Sequence, residues 1–172
     1  MTAAALSEKS CGECTLCCKV MAIETLSKQA GAWCRHCRPG HGCLIHPERP
    51  AECRDFACLW LTDARLGPEW KPGKSKLVLT TSEDGIEVRC DAGFPDAWRK
   101  EPFHSEIQTL AASGEAHDVT VLVIIGERMI LLTSDREFDL GVVGPDERIV
   151  REFDGGRLVG VAVVKASDLQ RD

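Results

Sequence analysis

The chain has 172 residues, 44% hydrophobic and 28% charged, with a formal net charge of −6. That length fits one domain, or a domain with a small appendage. The acidic balance argues against a general affinity for nucleic acid or anionic membranes, and no apolar run approaches the roughly 18 residues that a membrane span needs.

Residues 1–10 read as a lead-in. They lack a basic segment followed by an apolar stretch, so no secretory leader is expected and the cytoplasm is the expected location. Residues 11–63 carry nine of the ten cysteines, with Gly31, Gly40, Gly42, Pro39, Pro47 and Pro50 among them. Val20 to Ala32 is expected as a short helix, and Asp55 to Asp63 as a helical turn whose apolar face is Phe56, Leu59 and Trp60. The rest of this region has weak periodicity, so metal bonds are expected to replace a conventional core.

Residues 64–76 read as a linker, because Gly67, Pro68, Pro72 and Gly73 break regular structure. Beyond them the pattern changes. Leu77–Thr81 and Ile86–Cys90 read as a hairpin across Ser82-Glu83-Asp84-Gly85, with Asp-Gly as the turn signal. Pro102 to Ala112 reads as a helix with Pro102 in its first turn and Phe103, Ile107, Leu110 and Ala111 on one face. Val119–Ile125 and Arg128–Thr133 form a second hairpin, Phe138–Val143 a further strand, and Ile149–Phe153 with Leu158–Val164 a third hairpin across Asp154-Gly155-Gly156. With no tyrosine and five phenylalanines, the core is expected to be mostly aliphatic. The expected fold is α+β: a cysteine-rich, metal-bound subdomain at residues 1–63, packed on a mainly antiparallel β-sheet with one helix at residues 77–172.

Cysteine density carries the chemistry. In a reducing compartment clustered thiols favour metal over disulfides. The first block is Cys11-Gly-Glu-Cys14-Thr-Leu-Cys17-Cys18. A Cys-x-x-Cys turn brings two thiolates to one zinc ion, and three cysteines at three-residue steps can also hold an iron–sulfur cube. Adjacent side chains point apart, so Cys17 and Cys18 either serve two metals or one of them is a close supporting thiol. The second block runs from Trp33-Cys34-Arg-His36-Cys37 through His41 to Cys43, and the third is Arg49-Pro50-Ala-Glu-Cys53-Arg54-Asp55-Phe56-Ala-Cys58. The candidate metal ligands are therefore Cys11, Cys14, Cys17, Cys18, Cys34, Cys37, Cys43, Cys53 and Cys58, with His36, His41 and His46 as weaker candidates.

These blocks resemble the bacterial cysteine-cluster proteins described as zinc- or iron-chelating domains. Their pattern is Cys-x-x-Cys-x-x-Cys-Cys, a Cys near a His, a further Cys, and Arg-Pro-x-x-Cys-Arg-x-Phe-x-Cys. The resemblance spans roughly residues 11–60, about a third of the chain. Cys37 and His46 depart from the pattern, which more often has an apolar and an aromatic residue at those places. The resemblance implies zinc or iron binding and no particular reaction. Some relatives carry the cluster beside a methylation activity, but this chain has no recognisable methyl-donor motif, so that activity is not carried over.

Eight motif cysteines would complete two four-cysteine sites, one iron–sulfur cube with one zinc site, or a multinuclear cluster including the ninth. A four-thiolate zinc site carries a formal charge of about −2, which Arg35, Arg38, Arg49 and Arg54 are placed in sequence to offset. Metal ions are the expected partners and zinc is slightly favoured, chiefly in a structural role. The alternatives are an iron–sulfur redox protein or enzyme, and a metal carrier or sensor that exchanges a soft ion. Cys90, isolated at a strand end, reads as a core thiol.

Overall fold

Regular apolar spacing builds the C-terminal half. The structure, a computed structural model, describes residues 9–82, 85–115, 117, 119–155 and 157–169. The expected turn residues Glu83, Asp84 and Gly156, and the lead-in before Lys9, lie outside those described.

The N-terminal part consists of short pieces: α1 (Cys17–Val20), the paired two-residue strands β1 (Cys37–Arg38) and β2 (Gly42–Cys43), α2 (Ala51–Asp55), and α3 (Leu59–Thr62). The helix expected over Val20–Ala32 does not form. Instead the Ile23 and Lys28 amides exchange backbone hydrogen bonds of 2.9 and 3.0 Å, closing a tight loop over a 3-10 turn at Glu24–Leu26. This doubling-back lets the Cys34 amide donate to the Cys18 carbonyl at 2.9 Å, which a continuous helix would prevent. The helical turn expected over 55–63 is split. The chain extends at Phe56 (φ −73°, ψ 123°) between α2 and α3, so Cys53 lies within one helix and Cys58 at the N-terminal cap of the next.

Residues 64–76 hold more structure than their glycines and prolines indicated. They contain a 3-10 turn at Pro68–Trp70 and α4 (Pro72–Ser75). Trp70 is 1% exposed, meets Phe103 edge-on at a centroid distance of 4.8 Å, and donates its indole N–H to Glu106 at 2.6 Å. Proline at a first helical turn begins a helix as readily as it ends one, and burial of a large ring fixes the segment.

The main sheet has the order β3-β4-β5-β6-β7, from β3 (Leu77–Thr81), β4 (Gly85–Cys90), β5 (Thr120–Ile125), β6 (Arg128–Leu132) and β7 (Glu137–Val142). Its pairings are antiparallel except β4 with β5, which run parallel across the helix α5 (Phe103–Glu115). A helical crossover is the ordinary way to connect parallel strands. Close approach there requires glycine: a Cβ on Gly85, whose φ is +153°, would lie 1.9 Å from the Thr120 carbonyl oxygen. Among the described residues, strands β8 (Glu147–Asp154) and β9 (Arg157–Lys165) pair only with each other, as an antiparallel hairpin. The fold is thus α+β with mainly antiparallel sheets and one main helix.

One apolar core runs through both parts. Leu16, Val20, Cys58 and Trp60 join Trp70, Leu77, Val78, Val88, Trp98, Ile107, Val121 and Val123 in it. The core is mainly aliphatic, as expected, with three tryptophans added. Strand β3 is a sheet edge, yet Leu77, Val78, Leu79 and Thr80 are all buried, because α3 packs over it. The Lys19 ammonium pins the seam from α1 by donating to Asp91 Oδ1 at 2.6 Å, just beyond β4. Among the described residues, no helix is long and apolar enough to cross a membrane.

Candidate metal centre

The short elements converge on one cavity of about 240 Å³. All nine candidate cysteines line it, together with His36. Its remaining wall is largely apolar, from Met21, Ile23, Leu26, Ile45, Phe56, Trp60, Leu61 and, from the sheet, Val78. Pro72 also contributes, and a Cβ at Gly73 would lie 4.0 Å from the Cys14 sulfur, so the segment read as a linker forms part of the wall.

Local hydrogen bonds explain the convergence. The Cys14 amide donates to the Cys11 carbonyl at 2.8 Å, folding the first block into a turn. Cys37 lies opposite Cys43 in the β1–β2 ladder, and the Cys37 amide donates to the Cys34 carbonyl at 2.9 Å. The Gly40 amide donates to the buried Thr15 hydroxyl at 3.1 Å, tying that hairpin to the first block. The Leu61 amide, at the start of α3, donates to the Cys58 carbonyl at 2.9 Å, and the Leu61 and Trp60 amides offset part of the effect of burial on the Cys58 thiol. Amide donors of this kind stabilise a thiolate, whether bare or metal-bound.

All ten cysteines are free thiols. Cys17 and Cys37 both donate to Cys18, whose thiol is drawn down to about 6, chiefly by the bond from Cys17. Cys17 is held above the usual thiol range, first by that donated bond and then by burial. Burial pushes Cys37 up to about 12 and raises Cys11, Cys53 and Cys58. The buried Cys90 lies apart, donating toward the Phe94 carbonyl at 3.1 Å, its thiol pushed up to about 11 by burial, in keeping with a core role.

Of the three histidines, only His36 lines the cavity. His41 is exposed, and the exposed His46 ring lies 2.7 Å from an Arg49 guanidinium nitrogen. Arg35, Arg38 and Arg54 are exposed, whereas Arg49 and Lys71 both act electrostatically on Cys11. A further cation escaped the sequence reading. Lys28 is 8% exposed, donates to the Lys19 and Met21 carbonyls, and is acted on electrostatically by Cys34, Cys18, Cys17 and Cys53. Its signal in the sequence was slight: it is the one cation between Val20 and Ala32.

The donor set suits zinc or iron, since clustered thiolates are the preferred ligands of both zinc sites and iron–sulfur clusters. Among the described residues, no three His, Cys, Asp or Glu side chains already bracket a metal ion. Several sulfurs hydrogen-bond to one another instead. Metal binding at such thiols displaces their protons. Comparisons with protein families, curated proteins and solved structures find no match to this chain.

Proposed function

We propose that this is a metal-binding protein that chelates zinc or iron through its clustered cysteine thiolates, with zinc favoured and the metal mainly organising the fold. The observation that carries the reading is the shared cavity: cysteines as distant in sequence as Cys11 and Cys58 line it together. Ordinary core packing gives no reason to gather nine thiols at one place. The structural role of the metal is supported by the elements around the cavity, none longer than the five residues of α2. Such pieces bury little on their own, so metal bonds would supply folding free energy there. The closely spaced cysteines and the net charge of −6 fit a protein of the cytoplasm that takes metal ions, rather than nucleic acid, as partners.

One observation favours an iron–sulfur cluster as the second reading. The cavity volume of about 240 Å³ is several times the roughly 30 Å³ share of a water molecule, which is spacious for one bare ion. Purification without oxygen, followed by metal and acid-labile sulfide analysis per chain and a visible spectrum, separates the two. Zinc without sulfide and a colourless sample is expected. Iron with matching sulfide would make it a cluster protein, and a metal-free chain that cannot be loaded with either would overturn both readings.

A further inference from the structure

The two faces of the β8–β9 hairpin differ. Alternate residues of a strand share a face, and so do residues directly opposite each other on paired strands. Ile149, Arg151, Val161 and Val163 therefore share one face, and all four are half-buried. On this side the Arg151 guanidinium donates to the Thr120 hydroxyl at 2.9 Å, at the start of β5, and β9 packs against β7. The opposite face carries Arg148, Val150 and Glu152 on β8, across from Val164, Ala162 and Gly160 on β9. There Arg148, Glu152 and Ala162 are exposed, and Val150 and Val164 are only half-buried. A two-stranded hairpin is marginally stable by itself, so apolar side chains left facing water on one side of it call for a cover.

The charges on this outer face say what that cover is. Arg148 and Glu152 stand at its two ends, about 13 Å apart along an extended strand, with Val150 between them. Among the described residues, neither enters an ion pair within the chain, unlike Arg89, Arg99 and Arg128. Nη1 of Arg148 donates to the Pro145 and Glu147 carbonyls. That leaves the Nε–H and an Nη2–H, a fork that fits a carboxylate. A patch with one positive and one negative end around an apolar centre is complementary to itself when reversed.

We propose that this face stacks on the same face of a second copy of the chain, about a two-fold axis running across the strands. That axis reverses strand direction, so Arg148 of each copy meets Glu152 of the other and Val150 meets Val150. Val164 comes to lie over Gly160 of the second copy, where the absence of a side chain leaves room for it. Glu152 Oε2 lies 3.0 Å from where a Gly160 Cβ would be, so turning that carboxylate to Arg148 of the other copy also clears the space above the glycine. A two-fold axis along the strands would instead set Arg148 on Arg148 and Glu152 on Glu152, and the like charges oppose it. The interface is isologous, so each contact occurs twice. It is smaller than the roughly 20–30 residues a side of a standard interface, and the dimer is therefore weak and concentration-dependent. The rival view is that the two charges keep the face in water and the chain monomeric.

The test is sedimentation velocity of the full-length chain under reducing conditions, which exclude intermolecular disulfides, at concentrations up to about 0.5 mM because small interfaces are weak. A monomer–dimer equilibrium is expected. Arg148→Glu places like charges at both ends of the stack and should weaken the dimer about ten-fold or more, and adding Glu152→Arg should restore it to within about three-fold. A second measurement needs no substitution. Isotope-filtered NMR on a mixture of labelled and unlabelled chain should show contacts between the Val164 methyls and Gly160, which are about 13 Å apart along one strand and out of reach within one copy. A chain that stays monomeric at the highest concentration overturns the proposal in favour of its rival. A dimer indifferent to Arg148→Glu, or one that the double variant fails to restore, overturns it as well. Should Arg148→Glu lose its far-ultraviolet dichroism, the NMR contact decides: a wild-type dimer without it is built on another surface.

Discussion

The cysteine region and the sheet region are held together by different means. From Leu77 to Val142, neighbouring strands satisfy each other's backbone groups, and Val88, Val121 and Val123 are fully buried. From Cys11 to Asp63 the chain is a succession of tight turns, and nine thiols meet apolar side chains at its centre. A sheet carries its stabilising interactions in its own covalent chain. A thiol cavity holds only weak hydrogen bonds of its own and becomes strong when something binds it. The stability of one region should therefore depend on solution conditions to which the other is indifferent.

The largest effect expected is that of metal removal. Stripping the metal with a strong chelator under reducing conditions should expose the amides of Cys34 and Cys37 to hydrogen exchange, while those of β3 to β6 stay protected. Mass-spectrometric exchange mapping reads this directly, and uniform loss of protection would erase the distinction between the regions. Next comes Trp70→Ala, which empties a site 1% exposed and should cost about 3–5 kcal/mol in chemical denaturation. Because Trp70 is shared by the common core, this variant should weaken both regions together.

The seam between the regions offers a smaller and pH-dependent effect. Burial tends to raise the Asp91 carboxyl, but the Lys19 ammonium and the Gly93 amide outweigh it, and the group is held below the usual carboxylate range. A carboxyl lowered on folding stabilises the protein above its unfolded value of about 3.9, and that contribution fades as pH falls through the folded value. Lys19→Met should cost about 1.5–3 kcal/mol near neutrality, with the difference from wild type shrinking in acid; a pH-independent difference would exclude the ion pair as its source. Smallest is the surface pair Arg128–Asp139, which holds Asp139 at about 2. Arg128→Ala should return that carboxyl toward its ordinary range in an NMR titration and leave the thermal midpoint unchanged, since exposed pairs add little.

The same contrast governs what could be read from the sequence. Strands β3 to β9 and helix α5 were legible because their apolar residues recur at the spacing of the element they form. The parallel pairing of β4 with β5 was not, since it depends on how α5 folds back rather than on either strand's own residues. Spacing also marked the cysteines that share the cavity, because a Cys-x-x-Cys turn is a local feature. It failed where the chain is shaped from a distance. The loop from Ile23 to Lys28 exists to bring Cys34 to Cys18, and Trp70 orders the segment between the regions by inserting into a core made elsewhere. Lys28 was overlooked for the same reason, since nothing beside it in sequence indicates that it reaches back to the carbonyls of Lys19 and Met21 at the end of α1.

Val78 gives the cavity a dependence in time as well as in space. It is fully buried in β3 and forms part of the wall facing the thiols, so that wall is translated after the last of the nine cysteines. A nascent chain therefore presents all nine sulfurs before the surface that shelters them exists. Until β3 leaves the ribosome, they are open to oxidants and to whatever soft ions are at hand, and a fragment ending at Asp63 would remain in that exposed condition for its whole lifetime.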